Sequence, residues 1–541
     1  MRGVAGARES RRSRASGRPA RAAPADVAGE SGLPDTLGSP AFRTAAILLG
    51  LMLFALAVHL PARLGELYGE PDAARLVDSA LLWKRAGIRT EAFSQYLYYT
   101  SPAYIYLITV LLPGTIGSLA PTASALNLIN LIIAAIVPVP LYLLFRRIAG
   151  DAAALIATLF LTLVPAFWQG GLYGFPTLPA VLFMVLAVWL FDRWLTGEGG
   201  LRARVPTLIA CLLCLTAAIL LKADVYLSSV ALWGLLLYRR RWAWRTVGLL
   251  ALIEVAPIVV LYGVARGLLQ ASPGALAYAG TWTRTFPAQP VPAFTREHAV
   301  QLVKSFGLLT LPVFAVALLL LLRARRYALC ALLLVWATLP VAFWFVRPGD
   351  SARHHLQSTI PVALGVGILL ARLRAPWRYV ALVLLAAVNY WAFSPSPSTV
   401  NTSGNLIESG RLAARWVALD QRLARAFADR AEPRAAFLGT FTQPYVEDQV
   451  LSLADSVTRV QPLWRLPGAA KEIDYLRHGQ ERVALIVELP HPLAPGAETA
   501  AVVAAYHDAG YAVYSTELYG DLGLRRRSHR DFRLSEFQLG N

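Results

Sequence analysis

The chain is 541 residues long, 56% hydrophobic and only 16% charged, against about 25% charged in soluble domains. Its net charge is +18, but the arginines stand in short clusters between apolar runs, where they act as orientation signals and not as a nucleic-acid footprint. Cys211, Cys214 and Cys330 lie inside apolar runs with no ligand-like spacing to histidine, so neither a disulfide framework nor a zinc site is implied.

Residues 1–43, rich in Arg, Ala, Gly, Ser and Pro ("RRSRASGRPARAAPADVAGESG"), read as a disordered cytoplasmic tail. No A-x-A-like cleavage site follows the apolar run after Arg43, which argues against a signal peptide. Apolar runs then fall near 44–60, 101–119, 124–145, 152–168, 176–195, 205–221, 225–238, 246–263, 306–322, 327–346, 355–371 and 379–393. Their lengths suit the hydrocarbon core of a bilayer.

The clusters "FRRIAGD", "RWLTGEGGLRAR", "RRRWAWR", "RARR" and "RLRAPWR" belong on the cytoplasmic side by the positive-inside rule. That leaves "WQGGLYGF", "LKADVY", residues 264–305 and "VRPGDSARHH" outside. The parity closes only if 101–119, with its internal Pro113 and Gly114, is interfacial or re-entrant. The expectation is a polytopic α-helical membrane protein of about 11 to 13 spans, eleven being favoured. It would occupy 44–393 in a bacterial-type inner or plasma membrane, with the amino terminus cytoplasmic.

Beyond Phe393 the composition changes. "SPSPSTVNTSGN" reads as a linker, and "LIESGRLAARWVALDQRLARAFADRA" as a polar helical run. "RVALIVEL" and "YAVYSTEL" read as strands, with "AETAAVVAAYHDAG" between them as a helix. Residues 394–541 are therefore expected to form a small, soluble, extracytoplasmic α/β domain.

The first outer loop, 61–100, contains "YGEPDAARLVDSALLWKRAG" from Tyr68. Ala73, Leu76, Ala80 and Trp83 recur at helical spacing and predict an amphipathic helix lying on the membrane. Asp72 opens that helix behind Pro71, with Glu70 two residues earlier. By spacing alone Asp72 is a helix cap or dipole partner, or a chemical group.

Further along, Lys222 and Asp224 lie at an outer boundary among uncharged residues. They pair or snorkel, or Lys222 neutralises a phosphate leaving group beside substrate at Asp224. Glu254, in mid-run, is expected to make a structural hydrogen bond. Tyr173 in "WQGGLYGF" lines a sugar pocket or sits in a tight turn. Arg284 and His298, in the aromatic- and proline-rich outer stretch, grip a polar head or sugar, or belong to an interfacial aromatic belt. In "SARHHLQSTIPVALGVGILL", Arg353 either snorkels or holds a lipid phosphate through its planar fork, with His354 beside it.

Two of these stretches resemble the GT-C glycosyltransferases, which include the protein O-mannosyltransferases and the bacterial lipid A aminoarabinose transferases. That family opens a short helix after its first span with an Asp-Glu pair, then shows a small residue, a Gly, and a Pro-led apolar helix. Asp72, Ala80, Gly87 and Ser101-Pro102 fill those places, while Ala73 replaces the second acid. Arg353, His354 and Pro361 match the family's Arg-Tyr-x-x-x-x-x-Pro element, with His in the Tyr place.

The resemblance implies sugar transfer from a polyprenyl-phosphate-linked donor on the extracytoplasmic face, with inversion. Asp72 would be the general base and Glu70 its displaced acidic neighbour, while Arg353, His354 and Lys222 would bind the lipid phosphate. The acceptor would be a lipid, glycan or protein of the cell envelope, with membrane lipids as surroundings. No cofactor is implied, and a divalent metal is left open. A multi-span transporter or lipid flippase is the alternative. Against it, no inverted repeat is evident, and the ionisable residues gather at the outer face instead of the midplane.

Overall fold

The computed structural model describes residues 40–63, 101–111, 119–167, 175–197, 200–271, 296–345 and 352–392, together with five strands between 434 and 536. In chain order the helices are α1 (Pro40–Arg63), α2 (Pro102–Leu111), α3 (Leu119–Ile136), α4 (Pro138–Ala149) and α5 (Asp151–Leu163). Then come α6 (Thr177–Thr196), α7 (Gly200–Leu221), a 3-10 segment (Ala223–Ser229) leading into α8 (Val230–Tyr238), and α9 (Trp244–Ala271). The last group is α10 (Arg296–Phe306), α11 (Thr310–Arg323), α12 (Tyr327–Phe345), a 3-10 turn (Ala352–His355) leading into α13 (Leu356–Leu370), and α14 (Trp377–Ala392).

Among the described residues, six helices are long and apolar enough to cross a membrane. Five shorter apolar helices accompany them, Asp151–Leu163, Ala223–Tyr238, Thr310–Arg323, Leu356–Leu370 and Trp377–Asn389. Their packing follows composition. In α13 every residue from Leu356 to Gly367 is buried, as expected of a helix that is apolar on all sides. It packs against α5, α11 and α12 and forms the centre of the bundle.

The outer helices behave in the opposite way. Leu213 of α7 and Leu252 of α9 are 63% and 62% exposed, an apolar surface that water would penalise and hydrocarbon accepts. The stretch read as one span over 124–145 overlaps a single candidate span, Leu128–Ala149, broken locally at Val137 where α3 gives way to α4. Pro138 and Pro140 lack the amide hydrogens that would continue the ladder there. The 101–119 run, expected to be interfacial or re-entrant, holds the ten-residue helix α2.

Two glycines shape particular helices. Gly197 ends α6 in the left-handed region at φ +76, a conformation glycine adopts without Cβ strain. Gly367 lets α13 approach α5 directly. A Cβ at this position would run into the Ala153 carbonyl oxygen and Ala157.

The five strands are β1 (Arg434–Gly439), β2 (Arg459–Leu463), β3 (Val483–Glu488), β4 (Ala512–Glu517) and β5 (Arg533–Glu536). They form one sheet in the order β2-β3-β1-β4-β5. Neighbouring strands are parallel except for the antiparallel pair β4 and β5. The two strands expected from sequence are β3 and β4. Parallel neighbours need crossover connections. The helical runs expected at 406–431 and 497–510 lie outside the described residues.

Candidate functional site

The site is built where α7, the 3-10 segment after it, α12 and the start of α13 converge. α7 closes at Leu221, and Lys222 follows in extended conformation, φ −158 and ψ 108. Its side chain therefore leaves the helix and turns back toward Asp224. Lys222 Nζ donates to Asp224 Oδ2 at 2.6 Å, with the two side chains only 14% and 12% exposed. The same ammonium lies 5.9 Å from the centroid of the Trp344 ring, within cation–π range.

Trp344, near the end of α12, stacks on His354 with ring centroids 3.7 Å apart and planes inclined by 12°. His355 is fully buried. Its ring lies 6.1 Å from Phe306 and 6.2 Å from Phe345. His298 of α10 meets Phe345 edge-on at 5.0 Å. At the second position of α13, Gln357 accepts the Ser228 hydroxyl at 2.9 Å, which ties α13 to the end of the 3-10 segment.

Lys222, Asp224, His354 and, through Phe345 and His355, His298 thus come together. Arg353 belongs to the 3-10 turn Ala352–His355 that begins this element. Asp72, Glu70, Tyr173 and Arg284 lie outside the described residues. At Phe175, where the described residues resume, the carbonyl accepts Asn130 Nδ2 at 2.9 Å. Among the described residues, no group of three or more His, Cys, Asp or Glu side chains is placed to hold a metal ion.

Sequence reasoning missed Trp344, Gln357 and Ser228. Trp344 reads as one more aromatic in an apolar run, and only its stacking on His354 sets it apart. Gln357 had a usable signal, a large amide opening the polar run Gln357–Ser358–Thr359 at the start of a membrane helix, three residues after His354.

A second polar cluster, also missed, occupies the opposite end of α8. Asp192, completely buried on α6, receives Arg239 Nε on Oδ1 at 2.7 Å and Arg239 Nη2 on Oδ2 at 3.1 Å. Arg147 Nε reaches the same Oδ2 at 2.5 Å, and Arg147 Nη2 donates to the Thr196 hydroxyl at 2.8 Å. Tyr238 donates its hydroxyl to the Ile148 carbonyl at 3.0 Å. Arginines that read as orientation signals here also bind α4, α6 and α8 together. Glu254 has the structural hydrogen bond expected of it, from Trp233 Nε1 at 2.8 Å.

A model of the dolichyl-phosphate-mannose-protein mannosyltransferase family matches residues 119–262, a stretch that contains Lys222 and Asp224. The crystal structure of ArnT from Cupriavidus metallidurans bound to undecaprenyl phosphate is similar, with a TM-score of 0.57 at 12% identity over 88% of this chain and 93% of that one. The Archaeoglobus fulgidus oligosaccharyltransferase, tethered with an acceptor peptide containing the NVT sequon, gives a TM-score of 0.50 at 12% identity over 88% of this chain and 69% of that one. No curated protein sequence matches the chain. The chain has the fold of the GT-C glycosyltransferases.

Proposed function

We propose that this integral membrane protein transfers a sugar from a polyprenyl-phosphate-linked donor to a lipid, glycan or protein acceptor on the extracytoplasmic face. The observation that carries this reading is the convergence of Lys222, Asp224, His354 and the Arg353 backbone at one end of a GT-C bundle. The undecaprenyl phosphate bound by the similar ArnT gives the donor its chemical class. The arginine-bearing ends of α4 and α8 lie at the other end of the bundle. With these ends cytoplasmic, as the positive-inside rule has it, the site faces outside; residues 394–541 are read as a soluble α/β domain on that same side.

In the reaction, the donor phosphate sits against the Arg353 guanidinium, whose fork suits two phosphate oxygens at once. His354 flanks it. Lys222, already paired with Asp224, adds less charge. The acceptor hydroxyl or amine gives its proton to the Asp72 carboxylate as its oxygen or nitrogen attacks the anomeric carbon. The bond from that carbon to the phosphate oxygen breaks, and its electron pair leaves with the polyprenyl phosphate. A single displacement inverts the anomeric centre and requires no covalent enzyme intermediate. Glu70 stands two residues away as a second acid. Against the transporter alternative stands the gathering of Lys222, Asp224 and His354 at one end of the bundle, while Glu254 in mid-span takes a hydrogen bond from Trp233 Nε1.

The test is Asp72→Asn. Asn caps a helix about as well as Asp but accepts no proton. Turnover from a polyprenyl-phosphate sugar should fall by roughly 10²–10⁴, with the thermal unfolding midpoint unchanged on the same detergent sample. Near-normal turnover would return Asp72 to capping and remove the general base.

A further inference from the structure

Among the described residues, two amino acids other than glycine take a positive φ, and both are arginines. Arg240 stands at φ +54 and Arg325 at φ +55. Each lies two residues beyond an apolar helix, Arg240 after α8 and Arg325 after α11. The stretches around them match place for place, "LLLYRRRW" ending at Trp242 and "LLLRARRY" ending at Tyr327.

The backbone repeats as well. The Arg240 and Arg241 amides donate to the Leu237 and Leu236 carbonyls, both at 3.1 Å. The Arg325 and Arg326 amides donate to Leu322 and Leu321, both at 2.9 Å. This helix ending ordinarily places glycine at its left-handed residue, because a Cβ is strained there. The chain does so at Gly197 after α6. After α8 and α11 it keeps arginine instead, and strained residues of this kind concentrate at binding and switch sites.

The fold brings the two turns together. α8 packs on α12, so closely that a Cβ on Gly234 would lie 3.4 Å from the Leu332 Cα. The helices run in opposite directions, since Lys222, before α8, meets Trp344, near the end of α12. Arg239 and Tyr327 are each five residues from the Gly234–Leu332 crossing, about 7.5 Å along either axis. The two arginine turns therefore stand side by side, at the end of the bundle opposite Lys222. Arg239 is taken up by the buried Asp192. Arg240, Arg241, Arg325 and Arg326 are exposed, and none of the four is ion-paired to a described acid.

Four guanidinium groups without an acid among them suit an anion, and their planar forks match phosphate oxygens. The surroundings decide which phosphate. Trp242 and Tyr327, directly after the arginine pairs, are 58% and 60% exposed, and Leu237 and Leu322, on the helices before them, are also exposed. Exposed apolar residues, then arginines, then amphipathic aromatics mark the headgroup level of a bilayer. Phosphate at that level belongs to phospholipid, and surplus positive charge selects an anionic lipid over a zwitterionic one.

We propose that the paired turns after α8 and α11 form a binding site for the phosphate of an anionic phospholipid. Arg240, Arg241, Arg325 and Arg326 hold the phosphate, and Trp242 and Tyr327 border the glycerol. The site is independent of the sugar-transfer reading.

The experiment follows the thermal unfolding midpoint of the full chain in detergent micelles during titration with phosphatidylglycerol, phosphatidylcholine or inorganic phosphate. Only phosphatidylglycerol should raise the wild-type midpoint. Arg240→Gly and Arg325→Gly each relieve a left-handed residue while removing one charge. Without lipid, both variants should unfold at or above the wild-type temperature. Each should bind phosphatidylglycerol roughly fivefold more weakly, the worth of one arginine near an anionic surface. Arg43→Gln removes an exposed arginine near the start of α1 and should leave that affinity unchanged. Equal weakening by Arg43→Gln would reduce the effect to bulk attraction and overturn the proposal. Unchanged affinity in both glycine variants would overturn it too, as would a lower lipid-free midpoint in both, which would assign these arginines to the fold. A wild type stabilised as much by phosphatidylcholine or by inorganic phosphate would likewise exclude a site for anionic phospholipid.

Discussion

Lys222 and Arg239 bracket the same short segment, Ala223–Tyr238, and each belongs to a cluster built around an aspartate, Asp224 part-buried and Asp192 fully buried. The two clusters differ in completeness. At the Arg239 end both oxygens of Asp192 are taken, by two guanidinium groups from two other helices. At the Lys222 end only one oxygen of Asp224 is used, and Gln357 and Trp344 add donors that find no partner among the described residues. A saturated buried cluster has no capacity left for a ligand. An unsaturated one does, so the first reads as a clasp and the second as a place for substrate.

If that contrast is right, the same change of side chain should do different things at the two ends. Asp192→Asn leaves two arginines facing a neutral amide in a buried setting, and breaking such a pair costs about 3–5 kcal/mol. A large fall in the thermal unfolding midpoint is expected, with donor-lipid affinity of the surviving folded protein unchanged. A stable Asp192→Asn protein would dissolve the contrast.

Asp224→Asn should be milder, about 1.5–3 kcal/mol for a lost charged hydrogen bond, and its signature lies elsewhere. It should lower the affinity for the sugar-bearing lipid more than for the bare lipid phosphate, because the carboxylate oxygen that no described residue uses is lost as an acceptor. Equal losses for the two lipids would count against the difference between the ends. The smallest effect belongs to Ser228→Ala, which removes the hydroxyl that Gln357 accepts. About 1 kcal/mol of stability should go, visible as a small shift in denaturant midpoint. A shift as large as that of Asp192→Asn would mean the outer end is a clasp too.

Much of this architecture is legible one stretch at a time. The apolar runs locate nearly all the described helices, and the alternating patterns of "RVALIVEL" and "YAVYSTEL" locate β3 and β4. Lys222 and Asp224 stand out because charge at a membrane boundary is rare and they are two residues apart. The Asp192 clasp is illegible for the converse reason. Its partners Arg147 and Arg239 are 45 and 47 residues away in opposite directions, and each arginine has an adequate local explanation as a topology signal. Only the cost of a carboxylate inside an apolar helix could have flagged Asp192. β2 hid behind Pro462, which a strand pattern does not favour. The sheet order puts β2 at an edge, where a missing N–H is tolerated.

The backbone contact of Gly367 with α5 turns α13 into a lever. The helix rests against Ala153 and Ala157 near one end and presents His354 and Gln357 at the other. Thirteen residues at 1.5 Å each separate Gly367 from His354, an arm of roughly 20 Å. A wedge that tilts such an arm by roughly 3° swings its tip by about 1 Å, a displacement that can cost a hundredfold in rate where reacting groups must be aligned. A methyl group at position 367, far from any sugar or phosphate, would therefore act on the chemistry as a misalignment at the tip and not as a lost contact.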